Sequence, residues 1–382
     1  MPTKKDCYKH TLIDLFCGCG GFTAGFLSLN KTTNWKIVLG IDLDENAVKT
    51  FRANFGTRTA KIDDLNTADP REYLIKLNLL PMALDHLHAS PPCQNYSNNN
   101  RTNRNRSDSR YKIALRWAKV FMPKILTIEN VQGLGKIHDT KIRKSLIKLG
   151  YRVYRLQLDA ADFGVPQNRK RLFYLAYLKS LGIRSVKLKK THAQPQKCQG
   201  IQKPWVTVKN AIGDLPKRKA GSSLELFTSK VDVNRQPNAV SEYARLLRPE
   251  KGRVITEHYA RALNELALER IHYLRPGQAM PHLPPRLRPK KGFRGAYGKL
   301  NPYLPSKTIT TGIRGPSHGP FCHYNQDRLI TYREAARLQS FPDSFVFKGG
   351  QSSKAVQIGN AVPPILASVF RDLSEQILEI KT

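Results

Sequence analysis

Along the first half of the chain, short apolar runs alternate with stretches whose apolar residues recur at helical spacing. The runs at 11–16, 36–42, 84–89, 125–129, 151–158 and 171–177 predict β-strands. Between them, 45–54 places Ala47, Val48 and Phe51 on one face, and 141–149 does the same with Ile142, Leu146 and Leu149, which predicts amphipathic helices. Strand and helix in alternation predict an α/β domain. Its open, mostly parallel sheet carries helices on both faces and meets its ligands at the carboxyl ends of the strands.

From about residue 185 the pattern changes. Lys, Arg, Pro and Gly become frequent, and up to 310 the periodic apolar segments are short and irregular. Trp205, Val206, Val208, Leu224, Leu226, Leu246, Leu247, Leu263 and Leu266 are too many hydrophobic residues for a disordered linker, so this stretch reads as a smaller basic domain with long loops. A helical stretch follows at 332–339. The segment 361–380 has Pro363 and Pro364 where a helix can start and apolar residues at helical spacing afterwards. The expected division is 1–184 for the first domain, 185–325 for the second, 326–350 for a hinge, and 351–382 for a segment returning to the first. No internal repeat is visible.

Composition narrows the class. With 40% hydrophobic and 24% charged residues over 382 positions, the chain has the make-up of a folded protein with a sizeable core. No run approaches the roughly 18 apolar residues of a membrane span. The start, Lys4 and Lys5 before a short apolar segment broken by Asp14, reads as no signal peptide. A soluble cytoplasmic protein with no membrane partner is expected. Cys7, Cys17, Cys19, Cys93, Cys198 and Cys322 show no repeated two-residue spacing, so free thiols and no metal site are expected. The charge adds most: 64 Lys plus Arg against 29 Asp plus Glu leave +35, a surface that attracts a polyanion, and nucleic acid is favoured over a membrane surface.

Candidate chemistry falls at strand ends. After the first strand, Gly18, Gly20 and Gly21 let the chain turn sharply and bring backbone against a ligand at the start of the next helix. A dinucleotide fingerprint would want a third glycine where Thr23 stands, which disfavours NAD. The next strand ends at Asp42, where a carboxylate can accept from a ribose diol, so a nucleoside-bearing cofactor is implied; a tight turn without a ligand is the plainer reading of the glycines alone. The third strand runs into Ser90-Pro91-Pro92-Cys93-Gln94. Most lone cysteines are small buried hydrophobes, yet Cys93 is followed by Gln94, Asn95, Tyr96, Ser97 and three asparagines, which do not make a core; a nucleophile and a structural thiol both stand on these residues. The fourth strand ends in Glu129-Asn130-Val131, and its carboxylate would share the crevice with Cys93, where burial could hold a proton on it near neutrality. Arg169 and Arg171 alternate at the start of a later strand, so both should point to one face; a solvated edge is the plainer reading, yet two guanidiniums aimed one way suit a carbonyl oxygen, a carboxylate or a phosphate.

With these residues on view the chain resembles the cytosine-specific DNA methyltransferases that modify carbon 5, and resembles in particular those of bacterial restriction-modification systems. The resemblance covers most of the sequence. It rests on the Asp-Leu-Phe-x-Gly-x-Gly-Gly turn at Asp14, Pro-Pro-Cys-Gln at Pro91, Glu-Asn-Val at Glu129, Gln-x-Arg-x-Arg at Gln167, the run from Arg333 to Gln339, and Gly-Asn-Ala-Val at Gly359, all in the family's order. It implies the S-adenosylmethionine-dependent methyltransferase fold, with 185–325 as the target-recognition domain. It implies Phe16, Gly18, Gly20, Asp42, Leu43, Asp64, Pro91, Asn360 and Ala361 as contacts for S-adenosyl-L-methionine. Asp63 competes with Asp64 for one motif position, Leu43 stands where many members have an aromatic, and Cys17 where alanine is commoner. The resemblance makes Cys93 the nucleophile, Glu129 its partner, and Arg169 and Arg171 supports of a flipped cytosine. The polar stretch after Cys93 becomes a loop that closes on DNA, with Gln94, Ser97, Arg101, Arg104, Arg106 and Arg110 as its DNA contacts.

The implied partner is double-stranded DNA, with a cognate restriction endonuclease acting separately and a place at the nucleoid. Three rivals differ by residues in view. A transfer-RNA cytosine methyltransferase shares the catalytic domain, but the long basic 185–310 stretch favours DNA. An inert DNA-binding paralogue would have no reason to keep Cys93, Glu129, Arg169 and Arg171 together. An adenine-amino methyltransferase has an aromatic after its prolines, where this chain has Cys93.

Overall fold

A computed structural model describes residues 8–27, 33–92, 110–221, 240–248 and 255–379. The chain divides into two compact units. Unit 1 comprises Met1–Asp159, Lys170–Lys189 and Ala367–Thr382, and unit 2 comprises Ala160–Arg169 and Lys190–Leu366.

Unit 1 is built on strands β1 (His10–Leu15), β2 (Trp35–Asp42), β3 (Ala60–Ile62), β4 (His86–Ala89), β5 (Ile125–Asn130) and β6 (Tyr151–Asp159); β7 (Gln167–Asn168) belongs to unit 2, and β8 (Lys170–Leu178) returns to unit 1. The seven strands of unit 1 lie in the order β3-β2-β1-β4-β5-β8-β6. Only β8 runs against its neighbours, pairing antiparallel with β5 (Glu129 opposite Phe173) and with β6 (Leu156 opposite Phe173). The apolar runs place all six expected strands in this sheet. The three-residue β3 was not expected.

Helices α1 (Gly21–Phe26), α2 (Glu45–Phe55), α3 (Pro70–Lys76), α4 (Tyr111–Phe121) and α5 (Gln132–Lys148) connect the strands. Local chemistry starts two of them: the Asp44 carboxylate accepts from the Ala47 N–H, and Asp69 caps α3 ahead of Pro70. Alternation along β8 assigns the faces. Phe173 packs on Phe370 of the last helix, Pro364–Glu379, with 4.5 Å between ring centroids, whereas its neighbour Leu172 lies against Gly135 of α5. Helices therefore cover both faces, as the sequence pattern predicts. Trp117 and Phe121 of α4 are fully buried, and each such side chain contributes about 1.5–3 kcal/mol by leaving water. Among the described residues no helix is long and apolar enough to cross a membrane.

Unit 2 has little sheet. Strands β9 (His192–Ala193) and β10 (Lys203–Pro204) pair with each other, and β11 (Ser306–Lys307) pairs with β7. Its helices are α6 (Val208–Ile212), α7 (Glu242–Leu247), α8 (Glu265–Tyr273), α9 (Tyr332–Leu338) and α10 (Gln351–Asn360). The unusual element is α9, buried over its whole length although it carries Arg333, Glu334 and Arg337. Each charge is matched. Arg337 pairs with Asp214 and Asp343, Glu334 with Arg328 at 2.8 Å, and Arg333 donates to the carbonyls of Thr256, Pro342 and Phe345. Removing one partner would leave a buried charge uncompensated, at about 3–5 kcal/mol.

Candidate active site

The first group of residues lies where β1 and β2 leave the sheet. After Leu15 the backbone enters the left-handed region at Phe16 (φ 55°) and Gly18 (φ 52°), and Gly20 (φ 89°) caps α1. The Gly18 N–H donates to Asp42 Oδ2 at 2.8 Å and the Asp44 N–H to Asp42 Oδ1 at 2.9 Å. The carboxylate is thus fixed against the loop while each oxygen keeps a lone pair for a further donor. Burial pushes the Asp42 carboxyl above its ordinary range, opposed by these backbone donors. Leu43 beside it is 65% exposed, an apolar side chain with no core to enter. A side chain at Gly18 would meet nothing within 4 Å, so the space over the loop is open.

Three acids complete the picture. Asp14 is buried under the loop and accepts from Thr23 Oγ1 at 2.7 Å, but its Oδ1 has no hydrogen-bond partner, and burial pushes its carboxyl up to about 7. Of the two competing acids after β3, Asp63 is engaged by the Tyr73 hydroxyl and by Lys61, which hold it below its usual range. Asp64 Oδ1 accepts from the backbone and side chain of Asn66 at 2.9 and 2.7 Å. The fixed carboxylate, the open glycine turn and the exposed Leu43 together fit a cofactor with a ribose diol and a flat ring.

The second group lies at the ends of β4 and β5. The chain leaves β4 through Ser90, Pro91 and Pro92, and the Asn130 amide donates to the Pro91 carbonyl at 2.9 Å while its own oxygen accepts from the Val131 N–H. Asn130 therefore ties the end of β5 to the proline turn. Of Glu-Asn-Val, sequence reasoning singled out only the acid; the amide was legible in the motif and was passed over. Glu129 Oε1 lies 3.0 Å from Arg171 Nε, and both side chains are mostly buried. Cys93, Gln94, Ser97, Arg101, Arg104 and Arg106 lie outside the described residues. Arg110 is described, and it precedes α4.

The arginine pair departs from expectation. The strand breaks at Arg169, between β7 and β8, so the two guanidiniums are not alternating positions of one strand. Arg171 belongs to unit 1 and pairs with Glu129, whereas Arg169 belongs to unit 2, is buried, and donates to the carbonyls of Ile309 (3.0 Å), Gly359 (3.1 Å) and Asn360 (3.3 Å). Asn360 and Ala361 are likewise in unit 2, at the end of α10. Among the described residues no cluster of three or more His, Cys, Asp or Glu could hold a metal ion.

Known proteins are similar to this chain over most of its length. The family model for C-5 cytosine-specific DNA methylase matches residues 10–375. The Type II methyltransferase M1.HphI of Haemophilus parahaemolyticus is 30% identical over 98% of this chain and 88% of its own length, and M.DdeI of Desulfomicrobium norvegicum is 30% identical over 94% and 87%. A solved E. coli protein described as a candidate prophage-encoded DNA modification methyltransferase superposes with a TM-score of 0.72 at 24% identity, covering 97% of this chain and 99% of that one. A mostly parallel seven-stranded sheet with one reversed strand and helices on both faces is thus an α/β fold shared with that solved structure. Within it, the chain belongs to the C-5 cytosine-specific DNA methylase family. The enzyme is a DNA (cytosine-5-)-methyltransferase.

Proposed function

We propose that the enzyme methylates carbon 5 of cytosine at one sequence in duplex DNA, by extruding the base and forming a covalent bond to Cys93. Glu129 is the observation that carries this reading: a buried carboxylate held by Arg171, with its neighbour Asn130 bonded to the proline turn that leads into Cys93. Carbon 5 of cytosine is a poor nucleophile, so the Cys93 thiolate first adds at carbon 6. Charge then builds on the ring, and Glu129 stabilises it by sharing a proton at ring nitrogen 3. Arg171 orients Glu129 and would hold the ring carbonyl oxygen. Loss of the carbon 5 proton finally expels Cys93. In a stacked and paired base the ring faces where bonds must form at carbons 5 and 6 are covered by neighbouring bases and nitrogen 3 is bonded to guanine, which is why extrusion is part of the proposal.

S-adenosyl-L-methionine would supply the activated methyl group. Asp42 would hold its ribose hydroxyls, Leu43 its adenine, and the turn from Phe16 to Gly20 its close approach, all in unit 1. Unit 2 would read the DNA sequence. In support, Lys290, Lys291 and Arg294 are exposed on one short stretch, suited to phosphates, beside Arg286, which pairs with Glu269, and Arg288, which donates to the Pro281 and Leu283 carbonyls. The names of the HphI and DdeI relatives support a role beside a separately acting restriction endonuclease.

A duplex carrying 5-fluorocytosine at the target tests the covalent step, because fluorine cannot leave as a proton does. The enzyme with cofactor should form a denaturation-resistant adduct, and Cys93→Ala should form none while still binding DNA. An adduct of equal yield in Cys93→Ala would overturn the mechanism.

A further inference from the structure

Two buried histidines in β4 take no part in the chemistry above, and neither was singled out from the sequence. His86 and His88 are fully buried and lie in one continuous hydrogen-bonded line. His86 Nδ1 is 2.9 Å from Ser374 Oγ and its Nε2 is 2.9 Å from Thr127 Oγ1; His88 Nδ1 is 2.7 Å from the same Thr127 oxygen and its Nε2 is 2.6 Å from Ser90 Oγ.

The direction of every bond follows from its far end. Ser374 gives its only hydroxyl proton to the Phe370 carbonyl at 2.6 Å, so toward His86 it can only accept. His86 therefore carries its proton on Nδ1 and accepts at Nε2. The donor to Nε2 is the Thr127 hydroxyl, which in turn can only accept from His88 Nδ1. His88 then accepts at Nε2, and the donor there is the Ser90 hydroxyl. Burial holds both rings neutral, with His86 pushed down to about 3 and His88 well below the ordinary histidine range, so a single tautomer of each satisfies the line.

The line ends at the last residue before the proline turn. Pro91 and Pro92 have no N–H, so the chain entering Cys93 cannot be held by donors of its own backbone there. What holds it is the Ser90 N–H on the Leu15 carbonyl at 3.1 Å, the Ser90 hydroxyl on His88, and Asn130 on the Pro91 carbonyl. His88 also stacks face to face on Phe22 of α1, 3.4 Å between centroids and 3° between planes, so it touches the helix that follows the cofactor turn as well.

We propose that the line Ser90–His88–Thr127–His86–Ser374 is a positioning relay: it ties the entrance of the nucleophile loop to the core and to the C-terminal helix, and sets the aim of Cys93 without touching substrate. This rests on the reading of Cys93 as nucleophile. Ser90→Ala removes one hydroxyl at the end of the line, Thr127→Val cuts it in the middle at constant shape, and Thr127→Ser keeps the oxygen.

The test measures the single-turnover methyl-transfer rate at saturating DNA and S-adenosylmethionine, both dissociation constants, and the rate of iodoacetamide alkylation at Cys93 in the free protein, mapped by mass spectrometry. Ser90→Ala and Thr127→Val should slow turnover at least tenfold and change alkylation at least threefold, with both dissociation constants within twofold, and Thr127→Ser should restore turnover to within threefold. If Thr127→Val does not fold, Ser90→Ala carries the test. Turnover and alkylation unchanged in Ser90→Ala would overturn the relay, as would a loss of cofactor affinity equal to the loss in rate. Methyl transfer retained by Cys93→Ala would instead overturn the nucleophile reading, and the alkylation readout separates the two.

Discussion

Asp42 shows how much one side chain can be asked to do. It ends β2 and anchors the Gly18 and Asp44 amides in a partly buried place where burial favours its neutral form and these backbone donors favour the charged one. A ribose diol would find both oxygens oriented before it arrived, so little ordering would accompany binding. Asp42→Ala should weaken S-adenosylmethionine by about 1.5–3 kcal/mol, the range for a lost charge-assisted bond, or roughly ten- to a hundredfold. Titration calorimetry on the purified protein measures it directly. An unchanged dissociation constant would move the ribose to another partner. Arg169 teaches the opposite lesson. Its motif invites a role in the chemistry, yet its guanidinium is spent on the carbonyls of Ile309, Gly359 and Asn360, so we assign it to holding the end of α10 in place.

Elements explain why some motif residues cannot vary. Gly359 lies within α10, and a Cβ there would come 2.4 Å from the Thr311 nitrogen and 2.5 Å from the Thr310 carbonyl carbon, both backbone atoms that cannot step aside. Gly359→Ala should cost about 1–3 kcal/mol or more, as overpacking does, and lower the thermal midpoint by several degrees. Gly350→Ala is the control, since a Cβ there meets nothing within 4 Å. Equal midpoints for the two variants would mean that α10 does not sit so close to Thr310. The same scale shows what was legible in the sequence. β1, β4, β5 and β8 were legible because each is a mostly apolar run buried in the sheet, whereas β6 is exposed at Arg152, Arg155 and Gln157 and buries only Tyr151 and Leu158. β3 was not legible, since Ala60-Lys61-Ile62 buries one residue of three. The first half of α5 was missed because Gly133 and Gly135 argue for a loop, although Gly135 is there to admit Leu172. α4 escaped because its start follows an arginine-rich polar stretch. Of the site, the acids and glycines at strand ends could be read from spacing, but the tie from Asn130 to Pro91 and the histidine line could not: each joins residues about 40 or more apart, and only folding brings them together.

At the scale of the molecule, an excess of 35 positive charges accompanies a sheet whose strand ends carry acids such as Asp42 and Glu129. Contacts to phosphates would supply affinity irrespective of sequence, and sequence choice would then come from a few side chains at base edges. That division fits two units, one with the sheet and one with exposed basic loops, in a single chain of the C-5 cytosine-specific DNA methylase family. The most direct test of the whole account is bisulfite sequencing of DNA from a host that expresses the protein, beside hosts carrying the empty vector and Cys93→Ala. The account predicts protected cytosines confined to one short sequence context in the first host and none in the other two. Absence of protected cytosines, or equal protection with Cys93→Ala, would contradict it.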